Sequence, residues 1–300
     1  MSNAALLKRP NYRVSLTITR VAIYVLLGLL TIVCVVPFYL MMVNATRTNF
    51  EIFAGISFIP GTAAVDNFTT LIWGKIMDVA TGARKDGVNI PLGFLNSTII
   101  AVSSTVLAGY FSSLTAYGFA LYTFRFKKFL WGIIITVIMI PPTVGLIGYF
   151  KLVTALGMYD SYWPLILPSI ASPFAVFFLR QYFASALPMS LVEAARMDGA
   201  KELSIFHRIG LPMSMPGIAT ISILGFLGSW NNFISPLIVL NTRDLFTMPL
   251  MIQLMNTSTY NRDFGALYMG ISLSVIPLLI MFAFFSRYLI NEIGAGSVKE

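Results

Sequence analysis

Six apolar stretches alternate with polar connections along the chain, at about 21–43, 93–121, 129–150, 162–180, 213–240 and 265–290. Each is close to or above the roughly 20 residues that a helix needs to cross the hydrocarbon of a bilayer. None contains an acidic residue, and the few basic residues in them lie at their ends. A charge at mid-bilayer costs about 2.5–3.5 kcal/mol on insertion scales, so the charges mark the connections. The first stretch is longer than the apolar core of a secretory signal, and no A-x-A site follows it. Ile32 and Val33 are too large for lipoprotein cleavage before Cys34, so this stretch reads as a retained helix. The pattern predicts an all-α membrane protein: an N-terminal segment 1–20, six transmembrane helices within 21–290, and a tail 291–300.

Composition agrees. The 300 residues are 57% hydrophobic and only 11% charged, with a mean hydropathy of +0.81. Intrinsic disorder is excluded, because it needs few apolar residues and many charges. So few charges also cannot clothe a soluble particle of 33.1 kDa. A single cysteine, Cys34, excludes a disulfide framework, and a single histidine, His207, leaves little for a metal site.

The basic residues set an expected orientation. With the N-terminus inside, the inner segments hold 13 of the 20 basic residues and 5 of the 12 acidic ones, so the whole net charge of +8 lies on that side. This is the positive-inside pattern, with both termini on the cytoplasmic side of the membrane. The basic balance therefore points to topology and not to nucleic acid. The outer connection 44–92 is long and carries turn signals at Pro60-Gly61, Asp86-Gly87 and Pro91. The inner connection 122–128 is short and basic, and 151–161 is short. The inner connection 181–212 reads as helix, whereas 241–264 is polar and rich in asparagine.

Within the spans, Ser104, Ala108, Ser112, Ala116 and Ala120 form a ladder at four-residue spacing, widened by Gly109 and Ser113. Small residues let helix backbones approach closely in lipid, so this span is expected to pack tightly. Prolines at 37, 141, 142, 164, 168, 173, 216, 236 and 277 predict kinks. Asn231 and Asn232 are adjacent amides inside an apolar span. Such amides are costly unless hydrogen-bonded. They read either as glue between helices or as part of a pathway or gate.

The connection 181–212 carries the most specific pattern. Ser190 with Glu193 three residues on reads as a capping box opening a short helix. Gly199 reads as its break, and a second short helix over about 200–208 is expected to end at Gly210 and Pro212. The result is a helix–turn–helix knob exposing Leu191, Val192, Ala194, Ala195 and Met197 among charges, which is a typical docking element. His207 reads as a solvated imidazole.

Glu193, Ala194 and Ala195, then Gly199, then Ile209, Leu211 and Pro212 fill a seven-position signature over 20 residues. Here the chain resembles the membrane subunits of binding-protein-dependent ABC importers, of MetI-like transmembrane fold. It is most similar to the MalG-like branch that serves sugars and oligosaccharides. Trp230-Asn231-Asn232-Phe233 with Pro236, and the tail Gly294-Ala295-Gly296, are further similarities. The resemblance implies a coupling helix that sits in a cleft of a cytoplasmic ATPase subunit. Glu193, Ala194, Ala195, Met197, Asp198 and Gly199 would lie at that contact. Ser190, Ile209, Leu211 and Pro212 would shape it. It further implies two ATPase subunits, a second homologous permease subunit and an extracytoplasmic solute-binding protein, with alternating access between the two sides. Asn256, Tyr260 and Arg262 would reach toward the binding protein. ATP and Mg would sit on the partners, and no cofactor on this chain.

Two other function classes fit less well. A secondary transporter usually carries intramembrane Asp, Glu, His or Arg, and these spans have none. An intramembrane enzyme would need a motif such as H-E-x-x-H or G-x-S-x-G, and neither occurs. There is also no G-x-x-x-x-G-K-[ST] loop, so the chain does not hydrolyse ATP by that route. A neutral sugar, an oligosaccharide and a uronic-acid oligomer all remain open as cargo.

Overall fold

The computed structural model describes residues 12–73, 76–77, 84–85, 88–257 and 263–296. Among the described residues, four helices are long and apolar enough to cross a membrane: α1 within Tyr12–Asn44, α4 (Ile90–Leu121), the run Trp163–Ala186, and α15 within Phe264–Gly296. Two further spans are bent. In the third, α5 (Lys127–Met139) meets Pro142–Ala155, which includes α6 (Leu146–Ala155), at 92°. In the fifth, Glu202–Met213 meets α12 (Met215–Trp230) at 75°. The all-α expectation holds, apart from a two-residue ribbon in which β1 (Ile76–Met77) pairs antiparallel with β2 (Arg84–Lys85).

By its internal contacts the chain forms two compact units. The smaller one comprises residues up to Phe68 together with Asp263–Ser272. Its α1 is exposed along most of its apolar length, as suits a helix in lipid. The stretch after α1 was expected to be loop but is folded. Thr48 caps α2 (Asn49–Phe53) in a capping box with Glu51. Those bonds, the Thr48 backbone first, hold the Glu51 carboxyl below its ordinary range. Arg47 is buried and donates to the Gly55 carbonyl at 3.1 Å, and Asn67 donates to the carbonyls of Ala45 and Arg47 at 2.8 and 3.0 Å.

The larger unit is built on α4. Its small-residue ladder is the surface on which α8 (Pro173–Ala186) and α12 pack, with Ser104, Gly109, Ser112, Ser113 and Ala116 buried. This is the close approach that small side chains allow. Pro91, read as a turn, sits in the first turn of α4, and Asn89 accepts from the Leu92 backbone as N-cap. Pro164, Pro173 and Pro216 also occupy first turns, where the missing N–H costs nothing. Pro37 and Pro277 do lie inside helices. Asp86-Gly87 lies outside the described residues.

The polar connection after the fifth span is also more structured than its composition suggests. Its middle forms α14 (Met248–Thr257), which buries Met248, Leu250, Met251 and Met255. Asn96 of α4 donates to the carbonyls of Asp244 and Phe246, and Ser97 accepts from the Met248 backbone at 2.7 Å. Asp160, at φ 57°, accepts from the Asn241 and Thr242 backbones and the Thr242 hydroxyl. These bonds, the Thr242 hydroxyl first, hold its carboxyl below the ordinary range.

A close helix crossing supplies a test. A Cβ on Gly217 of α12 would stand 2.7 Å from the ring of Tyr182 on α8. Gly217→Ala must push the helices apart and is expected to cost about 1–3 kcal/mol, read as a lower thermal midpoint in detergent. Gly225→Ala is the control: a Cβ there meets nothing within 4 Å. It is expected to gain up to about 1 kcal/mol from helix propensity.

Candidate functional site

The knob predicted from the sequence exists at one end of α4. The short helix α9 (Met189–Met197) is followed by a turn and by α10 (Glu202–Ile205). The capping box is not what starts α9. The helix begins at Met189 with Pro188 as N-cap, no side chain caps it, and Ser190 lies exposed in the first turn. Proline presets the backbone for the entry, which leaves Glu193 free of a capping role. Its carboxylate is exposed at the surface.

Gly199 does end α9, by a specific device. At φ +78° it is left-handed, its N–H bonds the Arg196 carbonyl, and the Ala200 N–H bonds the Ala195 carbonyl. This is the Schellman arrangement, for which glycine is the favoured residue. The end expected at Gly210 and Pro212 is not observed. Residues Phe206–Gly210 widen into a π-turn that runs on into α11 (Leu211–Met213), and the chain bends only before α12. Pro212 lies where the π-turn passes into α11.

One face of the knob is its anchor. Val192 is fully buried, Ala195 is half-buried, and Ile205 and Phe206 are buried, all in a cluster with Tyr117 and Phe119 of α4 and Leu179 and Phe183 of α8. The sequence predicts Val192 and Ala195 on the exposed surface, but neither is part of it. They point inward because a helix shows only one face to water. Ile209 and Leu211 of the signature pack on the same cluster. The outward surface holds Leu191, Glu193, Ala194, Met197, Asp198 and Gly199, with Met197 88% and Leu203 61% exposed.

Three polar residues that the sequence did not single out join the knob. Arg196 Nε donates to Glu202 Oε1 at 2.7 Å, and the hydroxyl of Tyr122, at the C-cap of α4, donates to Glu202 Oε2. The Arg196 guanidinium also lies over the Tyr122 ring, 5.6 Å from its centroid. These bonds, Arg196 first and Tyr122 second, hold the Glu202 carboxyl below its ordinary range, while burial and the bond to Glu202 push the Tyr122 hydroxyl up. A lowered carboxyl stabilises above its unfolded value, about pH 4.3, and loses its contribution as pH falls through the lowered value. The pair is exposed, so Glu202→Gln is expected to cost under about 1 kcal/mol of stability at neutral pH, read by thermal unfolding. No local spacing signals Tyr122, which lies 80 residues from Glu202. His207 is likewise held rather than merely solvated: its ring stacks on Tyr110 and bonds the Tyr110 hydroxyl and the Leu203 carbonyl.

A second feature lies away from the knob. The break in the third span and the break after α12 both line a cavity of about 440 Å³, with Thr143, Tyr149, Leu165, Pro168, Asn232 and Ser235 in its wall. Asn231 and Asn232 form the break between α12 and α13 (Ile234–Val239). Asn231 donates to the Leu227 carbonyl, and Asn232 accepts from the Ser235 backbone. Their bonds are thus local. The link to another helix comes from their neighbour Trp230, whose indole donates to the Ser274 carbonyl of α15 at 3.0 Å. Asn256 is exposed near the end of α14, and Tyr260 and Arg262 lie outside the described residues.

Comparison with known proteins agrees with this arrangement. Residues 106–293 match the family described as the binding-protein-dependent transport system inner membrane component. The arabinooligosaccharides transport system permease protein AraQ of Bacillus subtilis strain 168 is 33% identical over 286 residues, covering 94% of this chain and 97% of that protein. The lactose transport system permease protein LacG of Rhizobium radiobacter is 31% identical over 277 residues, covering 92% and 95%. The fold is that of a chain in the crystal structure of a bacterial ABC transporter involved in the import of the acidic polysaccharide alginate. The TM-score is 0.77 at 20% identity, over 91% of this chain and 97% of that one. The knob on a bundle of membrane helices, the signature it carries and these matches together place the chain in the family of binding-protein-dependent transport system inner membrane components.

Proposed function

We propose that this chain is a permease subunit of an ATP-driven importer that carries a sugar or oligosaccharide across a bacterial inner membrane. The observation that carries the reading is the knob. It offers small and apolar side chains to water on one face while Val192 fixes the other into the core. A surface of this kind is built to receive force from a partner. The partner is a cytoplasmic ATPase, one of two, in whose cleft α9 seats through Glu193, Ala194, Met197, Asp198 and Gly199. Ala195 supports that face from its half-buried side. ATP and Mg belong to that partner. A second, homologous permease completes the pathway, and a solute-binding protein delivers the cargo from outside. The charge asymmetry supports a knob and both termini on the cytoplasmic side.

The cargo class rests on the relatives, whose names specify arabinooligosaccharides and lactose. The cavity at the helix breaks suits the pathway. Backbone freed at a break is tolerated in a membrane where it lines a cavity, and Asn232 presents an amide there. Asn232→Ala is expected to lower uptake severalfold while assembly stays intact. Loss of assembly would assign the residue to structure.

The test of the whole reading is a mild-detergent pull-down of the tagged chain from its native membranes. Retention of a P-loop ATPase and a second multi-span permease is the expected result. A chain recovered without an ATPase, and still moving substrate when reconstituted without ATP, would overturn it.

A further inference from the structure

The turn at 198–201 is a mechanical weak point. It joins α9 to α10 through backbone bonds around a left-handed glycine, and the next elements are only four to five residues long. A pull on α9 would be absorbed there unless something braces it. We propose that Tyr122, Arg196 and Glu202 are that brace: positioning residues that tie α9 and α10 to the end of α4, so that displacement of the knob moves the bundle as one body.

The geometry supports each link. Arg196 is the penultimate residue of α9 and Glu202 the first of α10, so their charge-assisted bond spans the turn. The second oxygen of Glu202 takes the Tyr122 hydroxyl, and the same Tyr122 ring lies beneath the guanidinium, so three elements meet at one carboxylate. Tyr122 is in turn fixed. Its backbone carbonyl accepts Lys127 Nζ at 2.7 Å, which joins the start of α5, and its ring meets Tyr117 edge-on. α4 is also the element against which α8 and α12 pack, so a load delivered to its end reaches both. The pair is exposed and adds little to stability, so its role is stiffness.

The role in coupling rests on the proposed function, whereas the brace itself is a property of the chain alone. Two measurements separate them. In the first, Cys34→Ser removes the only cysteine, and Thr123→Cys with Leu191→Cys takes spin labels at two exposed positions. The distance distribution between them in the purified chain is expected to be narrow, and to broaden in Glu202→Ala and in Arg196→Glu. It is expected to narrow again in Arg196→Glu with Glu202→Arg. Distributions that are the same in all four would overturn the brace. In the second, substrate moved per ATP hydrolysed is measured on the complex. Arg196→Glu and Glu202→Arg are each expected to lower it about tenfold with the ATPase still retained. The double variant should recover at least half, and Tyr122→Phe should fall between. A double variant no better than either single would overturn the coupling role. If the unmodified chain retains no ATPase, the functional reading fails and the distance measurement alone decides the brace.

Discussion

Val192→Asp is expected to unseat the knob. Val192 is fully buried among Tyr117, Phe119, Leu179 and Phe183, and it is the one wholly buried residue of α9. A carboxylate there has no partner in an apolar cluster and costs at least about 3 kcal/mol relative to the seated state. At about 1.4 kcal/mol per factor of ten, the ratio of seated to unseated knob falls by roughly a hundredfold. The spans are untouched, so the chain still inserts. The expected readout is faster hydrogen exchange across 189–205, with transport lost and membrane levels near normal. Val192→Ala removes only methyl groups and is expected to cost about 1–2 kcal/mol, with partial transport. Leu203→Asp places the same charge at an exposed position and is expected to leave exchange unchanged.

The second large effect is conformational. A Cβ on Gly199 would meet nothing within 4 Å, so size is not the constraint. The constraint is φ +78°. An L-residue in that region costs about 1–2 kcal/mol, and a β-branched one is a true outlier. Gly199→Val is therefore expected to lower transport at least tenfold, whereas Gly199→Asn should keep most of it, because asparagine tolerates the left-handed region. Equal loss in both variants would show that contact with a partner, and not the turn, sets the requirement at this position.

These two residues also show how far the sequence could be read. Gly199 was legible because a glycine after a short helical run is a known stop, and the backbone there is left-handed as that reading requires. Val192 is harder to place, because an apolar run reads as one surface until each residue is turned by 100° around the helix, which puts Val192 on the inner face. The six spans were legible from uninterrupted apolar length. The break at Pro141-Pro142 was marked by its prolines, but the one at Asn231 and Asn232 carries no proline and read as polar residues within a continuous helix. The Ser190–Glu193 pair is not a capping box because Pro188, two positions before Ser190, already sets the entry to α9. The brace was out of reach: Tyr122 and Glu202 meet only because α4 and the knob share a core, and no periodicity encodes that. The polar composition of 241–264 hid α14, whose Met251 packs against Gly93 of α4.

Entry of force through the knob can be tested at one side chain. Met197 is the most exposed of the large apolar residues of α9. A photo-crosslinking residue placed at 197 in the intact complex is expected to capture a P-loop ATPase in high yield, and the same residue at the exposed Asn256 is not. Capture of the ATPase from 256 but not from 197, or from neither in a complex that retains it, would contradict the account.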